Sequence, residues 1–262
     1  MVKTKPSGVL AAAGGALVAV GSLMVMLMVV EARPAEATFP GPNGKIAYSV
    51  LNSGIYTINP GGGGKSKVTD TLMSGDAKPS YSPNGKRIAY SDYDGNDFEI
   101  YTINVGGGGK TQVTNNNTHD FWPAYSPDGT RIAYSGDYGI YTINADGSGG
   151  ESKVTYGAAP SYSPDGKRIA YSGYEGPDTE IYTIKVGGGG ETKVTNNVKD
   201  EEAPSYSPDG EKIAYECFKA LGTDDDEDFD IEICTINVGG GGKTKVTDTV
   251  GYAMDPSWGR RP

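Results

Sequence analysis

Beyond residue 37, apolar and polar positions alternate with a period of two in short runs. In RIAYS, residues 168–172, Ile169 and Tyr171 fall on one face of an extended chain and Ala170 on the other. Runs of Ile, Val, Thr and Tyr bounded by Pro, Gly, Asp and Asn predict strands joined by tight turns. Helical periodicity is missing outside the N-terminus. The runs recur in a fixed order. P-[SA]-Y-S leads into S-P-[DN]-G, then a basic residue and I-A-Y; after a variable loop come I-Y-T-I, a glycine run and K-V-T or Q-V-T.

Aligned on the tyrosine of P-[SA]-Y-S, the copies fall at Tyr81, Tyr125, Tyr162 and Tyr206, at intervals of 44, 37 and 44 residues. Each copy holds four short strands. Units of this size cannot bury both faces of their sheet alone, and stacking them in a ring can. The expected fold class is therefore all-β, a β-propeller of four-stranded antiparallel blades. A bulky Ile/Tyr face against a small Ala face lets neighbouring blades pack closely. The fourth strand occurs five times, ending at Thr69, Thr114, Thr155, Thr195 and Thr247. The first copy, from Pro42, has only the later three strands, and Pro256–Trp258 is a spare first strand. Five blades closed by that C-terminal strand account for residues 38–262.

The glycine runs need a reason of their own. GGGGKT, residues 106–111 and 239–244, superficially resembles a phosphate-binding loop. That loop requires a glycine where Asn104 and Asn237 stand, and a helix where TQVT and TKVT follow. A third copy carries Glu191 in place of the lysine, which would repel phosphate. The glycines are read instead as hairpin turns between third and fourth strands, where they supply positive φ.

P-S-Y-S-P-D-G-K-R-I-A-Y-S followed by E-I-Y-T-I resembles the TolB-like, WD-repeat-like β-propeller family, and the likeness recurs in each blade across 38–262. The resemblance implies a propeller used as a binding scaffold; a few propellers of this type belong to peptidases or polysaccharide lyases. TolB itself is implied to have six blades and an extra N-terminal domain, whereas five blades are counted here.

The N-terminus reads as a targeting segment over residues 1–37. Lys3 and Lys5 precede an uncharged run from Gly8 to Val30, and Ala35-Glu36-Ala37 offers a small-x-small cleavage site. The run is long enough to span a bilayer, so an uncleaved membrane anchor is the alternative to a signal peptide. Both readings export the rest, to the periplasm or the outside of the cell. The two cysteines, Cys217 and Cys234, fit an exported domain with one disulfide at most. With the third strand paired to the second as in a short hairpin, Cys234 lies opposite Tyr215 and diagonal to Cys217. Diagonal neighbours are about 7–8 Å apart, long for a disulfide. Either a small register change makes the bond, or these are two small core residues.

From residue 38 onward the chain has 20 basic and 31 acidic residues, which argues against nucleic acid as a partner. One histidine, His119 in the polar loop NNNTHDFWP, excludes a multi-histidine metal site, and no G-x-S-x-G is present. Asp92, Asp94 and Asp97 in DYDGND form a candidate calcium site, with good turn chemistry as the competing reading. DDDEDFD, residues 224–230, is a second acidic loop. No other cofactor is expected.

Assigning loops to the two faces of the ring puts 24 of the 31 acidic residues on the side of the second-to-third strand loops and interblade links. Those loops also vary in length, as binding loops of repeat proteins do. Asp76, Asp120 and Glu201 each stand three positions before a first-strand proline, with Phe121, Trp122 and Tyr156 in the same links. They form the expected binding site at the channel mouth. The function read from the chain is an exported, monomeric, non-catalytic scaffold that takes a basic segment of another exported or envelope protein on its acidic face. The competing class is a carbohydrate-active enzyme, glycosidase or lyase, using carboxylates at the channel mouth.

Overall fold

The computed structural model describes residues 45–50, 53–61, 63–69, 78–137, 139–176, 178–220, 229–248 and 253–258. The expected targeting segment, Asp76 and the acidic run Asp224–Asp228 lie outside the described residues.

The described residues form nineteen strands and no helix. Blade 1 holds β1 (Ile46–Val50), β2 (Gly54–Ile58) and β3 (Ser66–Lys67). Blade 2 holds β4 (Ser80–Tyr81), β5 (Arg87–Tyr93), β6 (Phe98–Asn104) and β7 (Thr111–Gln112). Blade 3 runs through β8 (Phe121–Tyr125), β9 (Arg131–Gly136), β10 (Gly139–Asn144) and β11 (Ser152–Thr155). Blade 4 comprises β12 (Ala158–Tyr162), β13 (Arg168–Glu175), β14 (Asp178–Lys185) and β15 (Thr192–Lys193). Blade 5 comprises β16 (Glu201–Tyr206), β17 (Lys212–Ala220), β18 (Phe229–Asn237) and β19 (Thr244–Lys245). Every blade is an antiparallel meander, strands pairing in chain order. First strands touch one another: Tyr125 N donates to Ser80 Oγ at 3.3 Å, and Tyr206 N to Ser161 Oγ at 3.3 Å. They are therefore the innermost strands of the ring.

The core lies between blades, as the bulky and small faces predict. Ala89, Ile100 and Val113 of blade 2 pack with Ile132 and Tyr134 of blade 3. Ala133 and Ile140 of blade 3 pack with Ile169 and Tyr171 of blade 4, and Ala170, Ile181 and Val194 of blade 4 with Ile213 and Tyr215 of blade 5. Ile55 and Val68 of blade 1 meet Ile88 and Tyr90 of blade 2 in the same way. Burying each Ile or Tyr stabilises by about 1.5–3 kcal/mol, and the repeat delivers this at interface after interface.

Both turn types follow the sequence. In S-P-D-G, the buried Ser126 Oγ donates to Asp128 and accepts from Arg131 N, while Gly129 supplies φ 74°. In the glycine run of blade 2, Asn104 N donates to Gly108 O at 3.1 Å, and Gly107, Gly108 and Gly109 all have positive φ. The lysine after the run lies over tyrosines: Lys110 Nζ sits 3.9 Å from the Tyr101 ring centroid. Lys65 and Lys243 sit likewise over Tyr56 and Tyr215. In blade 4 Glu191 takes this place and accepts from Tyr171 OH. Lysine and glutamate are thus two ways of closing the outer edge of a blade, by cation–π contact or by hydrogen bond.

Blade 1 departs from expectation in one respect. Among the described residues its sheet has three strands, and Pro256–Trp258 join no ladder. The segment nonetheless occupies the place of a first strand. Ala253 N donates to Ile231 O at 2.8 Å, just as Asp120 N of blade 3 donates to Phe98 O of blade 2 at 2.7 Å. Asp255 reaches blade 5 through its amide and blade 2 through a 2.8 Å ion pair with Lys78.

Candidate functional site at the channel mouth

Among the described residues, five other than glycine have positive φ: Lys78 (32°), Trp122 (55°), Ala159 (54°), Ala203 (50°) and Asp255 (55°). Each immediately precedes the proline that opens a first strand. The ladder skips Trp122, Ala159 and Ala203, with register shifts between Phe121 and Ala124, Ala158 and Ser161, and Glu202 and Ser205. A left-handed residue with a Cβ costs about 1–2 kcal/mol, so five at one repeat position mark a built feature, and in blades 3, 4 and 5 it is a bulge. Bulges re-aim side chains and gather at functional sites. The preceding blade anchors the bulge amide. Ala159 N donates to Ser135 Oγ at 2.9 Å, Ala203 N to Ser172 Oγ at 3.2 Å and Asp255 N to Glu216 Oε1 at 2.6 Å.

Each of these positions lies where an interblade link meets a first-strand proline, the place expected for the channel mouth. Lys78 Nζ pairs with Asp255 and also lies 4.7 Å from the Trp122 ring centroid. Ala159 and Ala203 leave the opposite side of the ring low. Glu202 stands beside Ala203; burial pushes its carboxyl up, Asp200 adds to this, and Lys78 opposes it. Glu216 is also pushed up by burial, against the hydrogen bond from Asp255 N. Tyr174, 67% exposed, stands near Glu202. The mouth therefore presents a tryptophan, one lysine engaged by an aspartate, and a surplus of carboxylates.

The expected site residues take different places. Trp122 belongs to this ring. Phe121 lies beside it and continues outward through His119, Phe98 and Tyr93 with centroids 5.0–6.4 Å apart. Asp120 and Glu201 are 1% and 0% exposed and brace the links from inside. Asn116 Nδ2 donates to Asp120 at 2.9 Å and Asn197 Nδ2 to Glu201 at 2.7 Å. Burial, together with the neighbouring Glu99, pushes the Asp120 carboxyl up. Tyr156 is exposed, under Lys153 Nζ at 3.6 Å.

The carboxylates expected on the acidic face are partly internal. Asp92, Asp97, Glu99, Asp120, Glu180, Glu201, Glu216 and Glu232 are all buried. Glu99 shows why: its carboxylate accepts from the Thr114 hydroxyl and from Asn116 N at 2.7 Å, pinning the interblade link. Glu180 accepts from Asn197 N at 2.6 Å and Glu232 from Thr247 in the same manner. Of the calcium trio, Asp92 is occupied by Lys110 at 2.7 Å, and Asp94 and Asp97 gather with Glu99 instead. Cys217 and Cys234 are bonded.

Sequence reasoning passed over Lys78 and counted Glu202 and Asp255 only among the acidic residues of this face. The available signal was the residue before each repeated proline, which varies while its neighbours repeat. On the other face a cleft of about 410 Å³ lies between blades 2 and 3, lined by Arg87, Tyr125 and Asp128 among others. Its guanidinium is engaged by Thr102 Oγ1 and Gly109 O, a bracing role within blade 2.

No protein-family model matches the chain, and no curated protein matches it in sequence. Solved structures do. A protein assigned as TolB from Agrobacterium tumefaciens is 24% identical over 80% of this chain and 83% of that one, with a TM-score of 0.68. TolB from Acinetobacter baumannii is 23% identical with a TM-score of 0.68; the match covers 81% of this chain and about half, 54%, of that one. A puromycin-hydrolysing peptidase from Mycobacterium tuberculosis is 13% identical over 80% of this chain and 38% of that one, with a TM-score of 0.54. The likenesses establish the fold, which is that of a TolB-like β-propeller.

Proposed function

We propose that this chain, a five-bladed TolB-like β-propeller, is an exported non-catalytic scaffold that binds a basic segment of another protein at its channel mouth. The observation that carries the reading is the left-handed residue repeated before five first-strand prolines, three of which, Lys78, Trp122 and Asp255, come together. The partner's cations would meet Glu202 and Asp255, and its apolar groups Trp122 and Tyr174. Tryptophan and tyrosine give contact area at small entropic loss. The buried Asp120 and Glu201 support this surface by holding the links in shape. Export is proposed from the N-terminal run and from the disulfide.

Tryptophan fluorescence tests the reading, because the chain has two tryptophans, Trp122 and Trp258, and Trp122 lies against Lys78. Titration with a Lys/Arg-rich peptide should change the emission saturably, and affinity should fall with added salt. Asp255→Asn should weaken binding by about twofold to fivefold, as expected for an exposed charge. A flat titration would remove the reading. Cleavage of a polysaccharide, lost on Glu216→Gln, would replace it with the enzyme reading, to which the raised carboxyls of Glu202 and Glu216 lend support.

A further inference from the structure

We propose that Asp94, Asp97 and Glu99 form a calcium site at the tip of the β5–β6 hairpin. One carboxylate oxygen from each lies within 4.8 Å of the others, Asp94 exposed and Asp97 and Glu99 buried. Among the described residues this is the one such group. The second observation is Asp97 itself. It is 7% exposed, and its Oδ1 is buried with no hydrogen-bond partner. A buried carboxylate oxygen left unpaired is costly and calls for a cation. Protein cations do not supply it: the neighbouring Lys110 is taken by Asp92 at 2.7 Å, and none of the three carboxylates has an ion-pair partner among the described residues.

The scaffold around the group is already set. Tyr93 pairs with Phe98 to close the hairpin, and Asp94 N donates to Asp97 O at 3.0 Å. Asp94 Oδ1 accepts from Asn96 N and Asp97 N at 2.7 and 3.2 Å, which leaves its Oδ2 for an ion. Glu99 is fixed by Thr114 and Asn116 before any ion arrives. Three carboxylates with no nitrogen or sulfur donor select a hard cation. The irregular spacing and one solvent-facing side suit calcium, which accepts varied geometry and completes its shell with water, better than magnesium, which demands a near-ideal octahedron. Blade 3 places Gly139 where blade 2 has Glu99, so the repeat does not copy the site there. Blade 4 keeps the equivalent glutamate, Glu180, with the same anchor from the following asparagine, which provides a control.

The test uses the purified full chain after chelation. Calcium at about 1 mM, the range of exported modules, should raise the melting temperature. At tenfold excess over Kd the rise should be about 3–6 °C. Terbium should give luminescence sensitised by Tyr93 and Tyr101. Asp97→Asn should abolish both responses while the calcium-free protein melts no lower than the parent, since it removes only an unpaired carboxylate. Glu180→Gln should lower stability yet keep the calcium response. No response in the parent, a response that survives Asp97→Asn, or an equal response to magnesium would overturn the assignment.

Discussion

A single buried hydroxyl organises each S-P-D-G turn. Ser126 Oγ accepts from Arg131 N and donates to Asp128 Oδ1 at 2.6 Å; Ser163 does the same for Arg168 and Asp165. Ser126→Ala would strand the Arg131 amide, and should cost about 1–2 kcal/mol in urea unfolding. The aspartates add a pH dependence. Burial alone would push the carboxyls of Asp128 and Asp165 up, but the serine hydroxyls and turn amides outweigh it and hold both below the ordinary value. Carboxyls with a lowered folded pKa stabilise above their unfolded pKa, and that contribution is lost as pH falls through the folded value. Stability should therefore decline as pH drops from about 5 to about 3, and the doubly substituted Asp128→Asn, Asp165→Asn protein should show a flatter profile. These turns were fully legible, because proline, aspartate and glycine each have one local job. The burial of Asp120 and Glu201 was not. A carboxylate in a loop looks solvated until the fold is known to turn it inward, here onto asparagines four residues back in the same link.

The β17–β18 hairpin shows what legibility means for an element. Tyr215 pairs with Cys234 and Cys217 with Glu232, the register expected from the shorter hairpins. The sulfurs are bonded across that diagonal without a register change, because twist and pleat bring the two Cα atoms to 5.8 Å. A flat ladder overestimates that distance, and strand twist is not written in any one residue. The bridge closes a separation of 17 residues, so its loss should cost about 3 kcal/mol. Thermal melts of the Cys217→Ser, Cys234→Ser protein should fall by about 6–12 °C.

For the whole molecule, closure rests on a short segment. Residues 253–258 join blade 5 through Ala253 N and Asp255 N, and blade 2 through Asp255 and Lys78. Blade count and the need for a returning C-terminus were readable from five fourth strands set against four complete first strands. The docking without a ladder was not, since it depends on how far the ring's two ends stand apart. Deleting Asp255–Pro262 should expose the inner edge of blade 1 and lower the melting temperature of the whole ring by more than about 5 °C. An unchanged melt would show that the ring holds without this clasp.

The residues ahead of the five prolines read, in ring order from the C-terminal segment, Asp, Lys, Trp, Ala, Ala. The frame around them repeats while the letters change. Because the ladder skips Ala159 and Ala203 and serines of the preceding blade hold their amides, a new side chain at either need not disturb the blades. Ala159→Asn and Ala203→Asn, both tolerant of left-handed φ, should leave the melt unchanged or slightly raised. Recognition by such a ring would then be spelled in a five-letter word, one that can be rewritten letter by letter while its grammar of prolines and strands stays intact.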